Sequence, residues 1–104
     1  MKISNAFQTF LSQAPDHAHA WMKMIQELDE ANGLDKKNPE LAFLSVLAAT
    51  RLTSGIPFHV LSAKDAGARR EEIISAVLIG LPAVGNGVIE SLAVALDAYD
   101  GKER

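Results

Sequence analysis

Cysteine is absent from this 104-residue chain. That one absence removes disulfides, thiolate nucleophiles and zinc–thiolate sites together. A surplus of positive charge is also missing. Ten Lys and Arg stand against thirteen Asp and Glu, a formal net charge of −3, and no basic stripe interrupts the chain. Nucleic acid therefore finds no electrostatic footprint. Long apolar runs are lacking too. Ser, Thr, Gly or Pro breaks each of them short of the ~20 residues that cross a bilayer. The opening MKISNAFQTFLSQAPDHA has no unbroken apolar core of signal-peptide length. A soluble cytoplasmic protein without nucleic-acid or membrane partners is the expectation. Strict apolar–polar alternation is rare, which argues against strands.

What the chain does contain is apolar residues at three and four spacing almost throughout, the period of amphipathic helices. An all-α fold of about six helices in a single domain spanning 1–104 follows. Ser4 or Asn5 starts a first helix and Pro15 ends it. Asp16 suits the N-cap of a second, which carries Ala18, Trp21, Ile25 and Leu28 on one face and stops at Gly33. Asn38-Pro39-Glu40 offers a cap, a first-turn proline and an acid for a third helix, ELAFLSVLAATRL. Thr53-Ser54-Gly55 breaks it, and Pro57 restarts a fourth helix that ends at Gly67. A fifth, REEIISAVLIGL, is punctuated by Pro82 and Gly85-Asn86-Gly87. A last helix runs through VIESLAVALDAY, with DGKER as a frayed tail. The third and fifth helices are apolar nearly all round. A domain of this size buries only about 60–70% of its unfolded surface, so exposed apolar area should remain to be covered by further copies of the chain.

Few side chains carry chemistry. His59 stands alone among small and apolar neighbours in TSGIPFHVLSAKDAG. Arg51 interrupts an apolar helix, so its charge must reach water or a carboxylate. It can anchor an acidic ligand or pair with Glu40 or Glu90; the structural pair is preferred because unpaired buried charge is costly. Trp21, with Met22 and Met24, can line a substrate pocket, although its spacing with Ile25 and Leu28 equally suits core or interface. Asp16-His17-Ala18-His19 offers only Asp16 and His19 on one helix face, too few ligands for a metal site. Arg69-Arg70-Glu71-Glu72 reads as a solvated first turn. Gly85-Asn86-Gly87 lacks the preceding strand and following lysine of a phosphate loop. No metal and no cofactor is expected.

Taken in order, PEL at 39–41, FHVLSAKDAGA at 58–68 and REEIISAVL at 70–78 resemble the carboxymuconolactone decarboxylase family, which includes the alkyl hydroperoxidase D-like proteins. The resemblance covers about residues 20–98. It implies the helical fold of those proteins and obligate assembly, commonly as trimers or hexamers. It also implies one of two activities: decarboxylation of a muconolactone, or peroxide reduction by a Cys-x-x-Cys pair assisted by a histidine and a glutamate. Carried over by position, the histidine falls on His59 and the glutamate on Glu40. The two cysteines fall on Leu52 and Gly55, which cannot form a sulfenic acid or a disulfide. Peroxiredoxin-like activity would then be a family label without its mechanism. The decarboxylase branch tends to carry an acid four residues before the histidine, and that position is again Gly55. Arg69 stands where a Ser or Thr cap is common, at a cost of about 1 kcal/mol of capping.

Two function classes remain side by side. One is a cysteine-independent acid–base enzyme of lyase or decarboxylase type, acting on a small organic acid or lactone. Glu40 and His59 would be its catalytic residues, with Arg51 and Trp21 binding substrate. The other is a non-catalytic oligomer that binds a small molecule or a protein. Simple hairpin geometry would hold Glu40 and His59 about three turns apart, at 5.4 Å each, whereas the resemblance implies that they approach.

Overall fold

The structure, a computed structural model, describes residues 3–35 and 37–102. These are helical with no strand among them: α1 (Asn5–Gln13), α2 (Pro15–Ala31), α3 (Lys37–Ala49), α4 (Ile56–Asp65), α5 (Arg70–Leu78), the single turn α6 (Leu81–Val84) and α7 (Glu90–Tyr99), with 3₁₀ turns at Thr53–Gly55 and Gly85–Ile89. Leaving the short α6 aside, six helices remain, as the apolar period predicts. Two compact units divide the chain, Ile3–Leu34 and the segment from Asp35 onward.

In the N-terminal unit, Ser4 caps α1, its Oγ accepting from the Phe7 N–H at 3.2 Å. Proline governs the start of α2 by a different route from the expected one. Pro15 occupies the first helical position and Ala14 the cap, so Asp16 sits inside the first turn, where its charge complements the helix dipole. Trp21 meets the rings of Phe7 and Phe10 edge-on, with centroids 5.2 and 6.3 Å away. Asn32 follows α2 and its Oδ1 accepts from the Leu34 N–H.

The C-terminal unit is a bundle of α3, α4, α5 and α7. Its core is built from Leu44, Leu47, Ile56, Val60, Ile73, Val77 and Val88, with Ala48, Ala63, Ala76 and Ala95 where helices approach closely. The third helix starts earlier than Asn38-Pro39 suggests. Asp35 accepts the Asn38 N–H at 2.8 Å, so the capping acid lies three residues upstream. Within one chain α3 keeps large apolar side chains at the surface: Phe43 is 47% and Val46 58% exposed. Ile79, just past α5, is 70% exposed. The stretch Arg70–Tyr99 is apolar and long enough for a membrane span by composition, but it is not one rod. It folds as α5, α6, a 3₁₀ turn and α7, and Gly85, at φ 77, turns the chain.

Polar ties fasten the ends of the bundle. Arg70 donates from Nε and Nη2 to both oxygens of Asp100, each at 3.0 Å. The chain is therefore anchored past α7 at a point expected to fray, and the first turn of α5 is not simply solvated. Lys37 holds Glu72 at 3.1 Å. Glu72 also accepts the Arg69 N–H at 2.9 Å, so half of a capping box survives without a Ser or Thr at position 69. The Tyr99 hydroxyl donates to the Ala68 carbonyl at 3.1 Å. Residues 103 and 104 of the expected tail lie outside the described residues.

Candidate functional site

Glu40 comes from the first turn of α3 and His59 from the second turn's start in α4, where Ile56 and Pro57 open the helix. Their side chains meet: His59 Nδ1 and Glu40 Oε2 are 2.9 Å apart. The connection between the helices explains why hairpin reasoning kept them apart. The chain does not rise from the end of α3 and descend from there. It folds back first, with the Leu52 N–H bonded to the Leu47 carbonyl, and Gly55 comes to rest beside Leu47, where a Cβ would lie 3.5 Å from Leu47 Cδ1. From that level one turn along α4 reaches His59. One turn back along α3 reaches Phe43, and a further three residues reach Glu40. A turn of helix spans about 5.4 Å, so a glutamate side chain bridges the remaining gap.

The imidazole is held on three sides. Phe43, three residues after Glu40 and so on the same face of α3, stacks on the ring with centroids 4.4 Å apart and planes 19° from parallel. Phe58 approaches edge-on at 5.2 Å. The His59 and Glu40 side chains are 23% and 22% exposed, half-buried but reachable. An ionised carboxylate only accepts hydrogen bonds, so the bond requires Nδ1–H to donate. In the neutral ring this leaves Nε2 with its lone pair, the arrangement of a base held by an orienting acid. Sequence reasoning passed over Phe43, counting it with the apolar residues of α3. Its spacing from Glu40 was the available signal.

The remaining candidates are Trp21 and Arg51. Trp21 belongs to the N-terminal unit, in the aromatic cluster with Phe7 and Phe10. Arg51 makes no ion pair among the described residues, with Glu40, with Glu90 or with any other acid. The expected structural pair is thus not formed, because the residue has left the helix. It lies beyond Ala49 with φ 59, exposed to solvent. Leu52 and Gly55 bracket the 3₁₀ turn ahead of α4. No cluster of metal-ligating side chains forms among the described residues, Asp16 and His19 included. An open groove of about 520 Å³ runs between α3 and α5, floored by Leu41, Ser45, Ala76 and Ile79, and neither Glu40 nor His59 lines it.

Two comparisons with known proteins bear on the family and the fold. The sequence profile of the carboxymuconolactone decarboxylase family matches residues 15–98. The crystal structure of a carboxymuconolactone decarboxylase family protein from Legionella pneumophila, in its apo form, superposes with a TM-score of 0.78. It shares 22% identity over 95% of this chain and 88% of the other. No curated protein matches the chain.

Proposed function

Since the chain belongs to the carboxymuconolactone decarboxylase family and has no thiol, we propose that it is an acid–base enzyme of lyase or decarboxylase type acting on a small organic acid or lactone. The observation that carries this reading is the 2.9 Å contact between Glu40 and His59. His59 Nε2 takes or delivers the proton at the reacting carbon or oxygen. Glu40 fixes the ring and balances the imidazolium that forms. Neither role needs sulfur. The open side of the imidazole is completed by a second copy of the chain. Phe43 both stacks on His59 and is half exposed, and the apolar Val46 follows it along α3. A partner covering that face would exclude water from the pair, which strengthens its electrostatics.

The test is turnover. The chain is incubated with muconolactone-type lactones and related carboxylates, and carbon dioxide or isomerised product is measured. His59→Gln should abolish product with helicity unchanged. Glu40→Gln should lower the rate by about 10²–10⁴, the range of general acid–base catalysis. Light scattering at micromolar concentration should show an oligomer. A second reading rests on Leu52 and Gly55 at the two cysteine positions: a non-catalytic oligomer that binds a small molecule or protein. It is favoured if wild type and His59→Gln are equally inert.

A further inference from the structure

Three helices of the C-terminal unit end in the same hydrogen-bond pattern. After α4, the Gly67 N–H bonds the Lys64 carbonyl and the Ala68 N–H the Ala63 carbonyl, both at 2.9 Å, with Gly67 at φ 98. After α7, the Gly101 N–H bonds Ala98 at 3.3 Å and the Lys102 N–H bonds Asp97 at 2.7 Å, with Gly101 at φ 75. After α3 the pair recurs: the Arg51 N–H bonds Ala48 at 3.2 Å and the Leu52 N–H bonds Leu47 at 2.9 Å. This closure requires a left-handed residue, a conformation glycine adopts without a Cβ penalty. Two of the three ends use glycine. The third uses Arg51, at φ 59 the one non-glycine residue with positive φ among the described residues. A strained residue of this kind persists where its side chain contributes something that glycine cannot.

That contribution is not an internal ion pair. Arg69 and Arg70 both hold carboxylates, but Arg51 holds none among the described residues. Its guanidinium lies along Gly87 in the 3₁₀ turn Gly85–Ile89. A Cβ on Gly87 would fall 2.6 Å from Arg51 Nε and 2.8 Å from Nη2. Gly87 does not have positive φ, so at this position the missing side chain provides room rather than backbone freedom. The same two segments carry exposed apolar residues, Leu52 next to Arg51 and Ile89 two places after Gly87.

We propose that Arg51, seated against Gly87, anchors the oxyanion of a small carboxylate with an apolar body. A guanidinium offers paired N–H donors that match both oxygens of a carboxylate. Leu52 and Ile89 supply apolar contact for the rest of the ligand. This narrows the substrate class of the proposed enzyme. The site itself stands whether or not Glu40 and His59 turn a substrate over.

Benzoate serves as the probe and inorganic phosphate as the comparison, each titrated into the full chain and followed by NMR. Benzoate should saturate, shift the Arg51 side chain and the amides of residues 85–89, and bind more tightly than phosphate. Arg51→Gly should weaken benzoate by about tenfold or more, the loss of a charge-assisted pair. Its Tm should equal or exceed the wild-type value, because left-handed strain is relieved. Gly87→Ala should displace the flexible guanidinium and weaken benzoate with little change in Tm. His59→Gln should bind benzoate as wild type does, which separates this site from the proton-transfer reading. A lower Tm in Arg51→Gly would assign Arg51 a structural role and overturn the proposal. So would unsaturable benzoate binding, binding that Arg51→Gly leaves intact, or tighter binding of phosphate.

Discussion

Ser91 offers a stability prediction with an unusual sign. It lies in the first turn of α7, is fully buried, and its Oγ has no hydrogen-bond partner among the described residues. A buried hydroxyl without a partner costs about 1–3 kcal/mol in mutational series. Ser91→Ala removes the oxygen alone, so no apolar contact is lost. Alanine also has the higher helix propensity, by a few tenths of a kcal/mol. The variant should therefore be more stable by about 1 kcal/mol or more. A change of that size raises Tm by about 4–8 °C in a domain of 60–100 residues. Ser91→Val supplies the contrast, since an added branch at a site with no free surface overpacks the core and costs about 1–3 kcal/mol. Calorimetry on the three proteins at one concentration decides the matter. A Tm for Ser91→Ala at or below wild type would show that the hydroxyl is satisfied in the working protein, and the reasoning fails.

Other expectations follow from particular residues. Gly67→Ala should destabilise by about 1–2 kcal/mol. Nothing lies within 4 Å of the added Cβ and φ is 98, so the cost is conformational and should appear in denaturant midpoints. Gly55→Ala, which meets Leu47 at ordinary contact distance, should be tolerated by the same measure. The bidentate bond from Arg70 holds the Asp100 carboxyl below its ordinary 3.8. The Arg69 N–H, and then Lys37, hold Glu72 below 4.5. The unfolded chain thus takes up these protons at higher pH than the folded one does. Their contribution is full above the ordinary values and is lost as pH falls through the folded ones, so acid unfolding of Asp100→Asn should depend less steeply on pH in that range. With no cysteine, peroxide turnover with a dithiol reductant should be nil, and robust consumption in a coupled assay would contradict the assignment of chemistry.

Local chemistry was legible wherever one residue dictates the backbone around it. Pro15, Pro57 and Gly67 each act on their own neighbours, and each marks a helix boundary in the structure. The start of α3 was harder, because Asp35 and Asn38 are overlapping cap signals and the bundle uses the earlier one. The exposure of Phe43 and Val46 could not be read from α3 alone. An apolar helix is as apolar when it awaits a partner as when it is buried. The meeting of Glu40 and His59 depends on six connecting residues folding back along α3, and nothing in their composition announces it. Arg51 is the sharpest case, since its place in the pattern asks for glycine and the left-handed turn is visible only in three dimensions.

In the proposed pair Glu40 orients His59 by accepting a hydrogen bond from Nδ1. Nitrogen-15 NMR of the labelled imidazole reads that bond directly. In the neutral ring His59 should be the Nδ1–H tautomer, with Nε2 unprotonated, and Glu40→Ala should abolish that preference. A neutral ring protonated on Nε2 in the wild type, unmoved by Glu40→Ala, would contradict it.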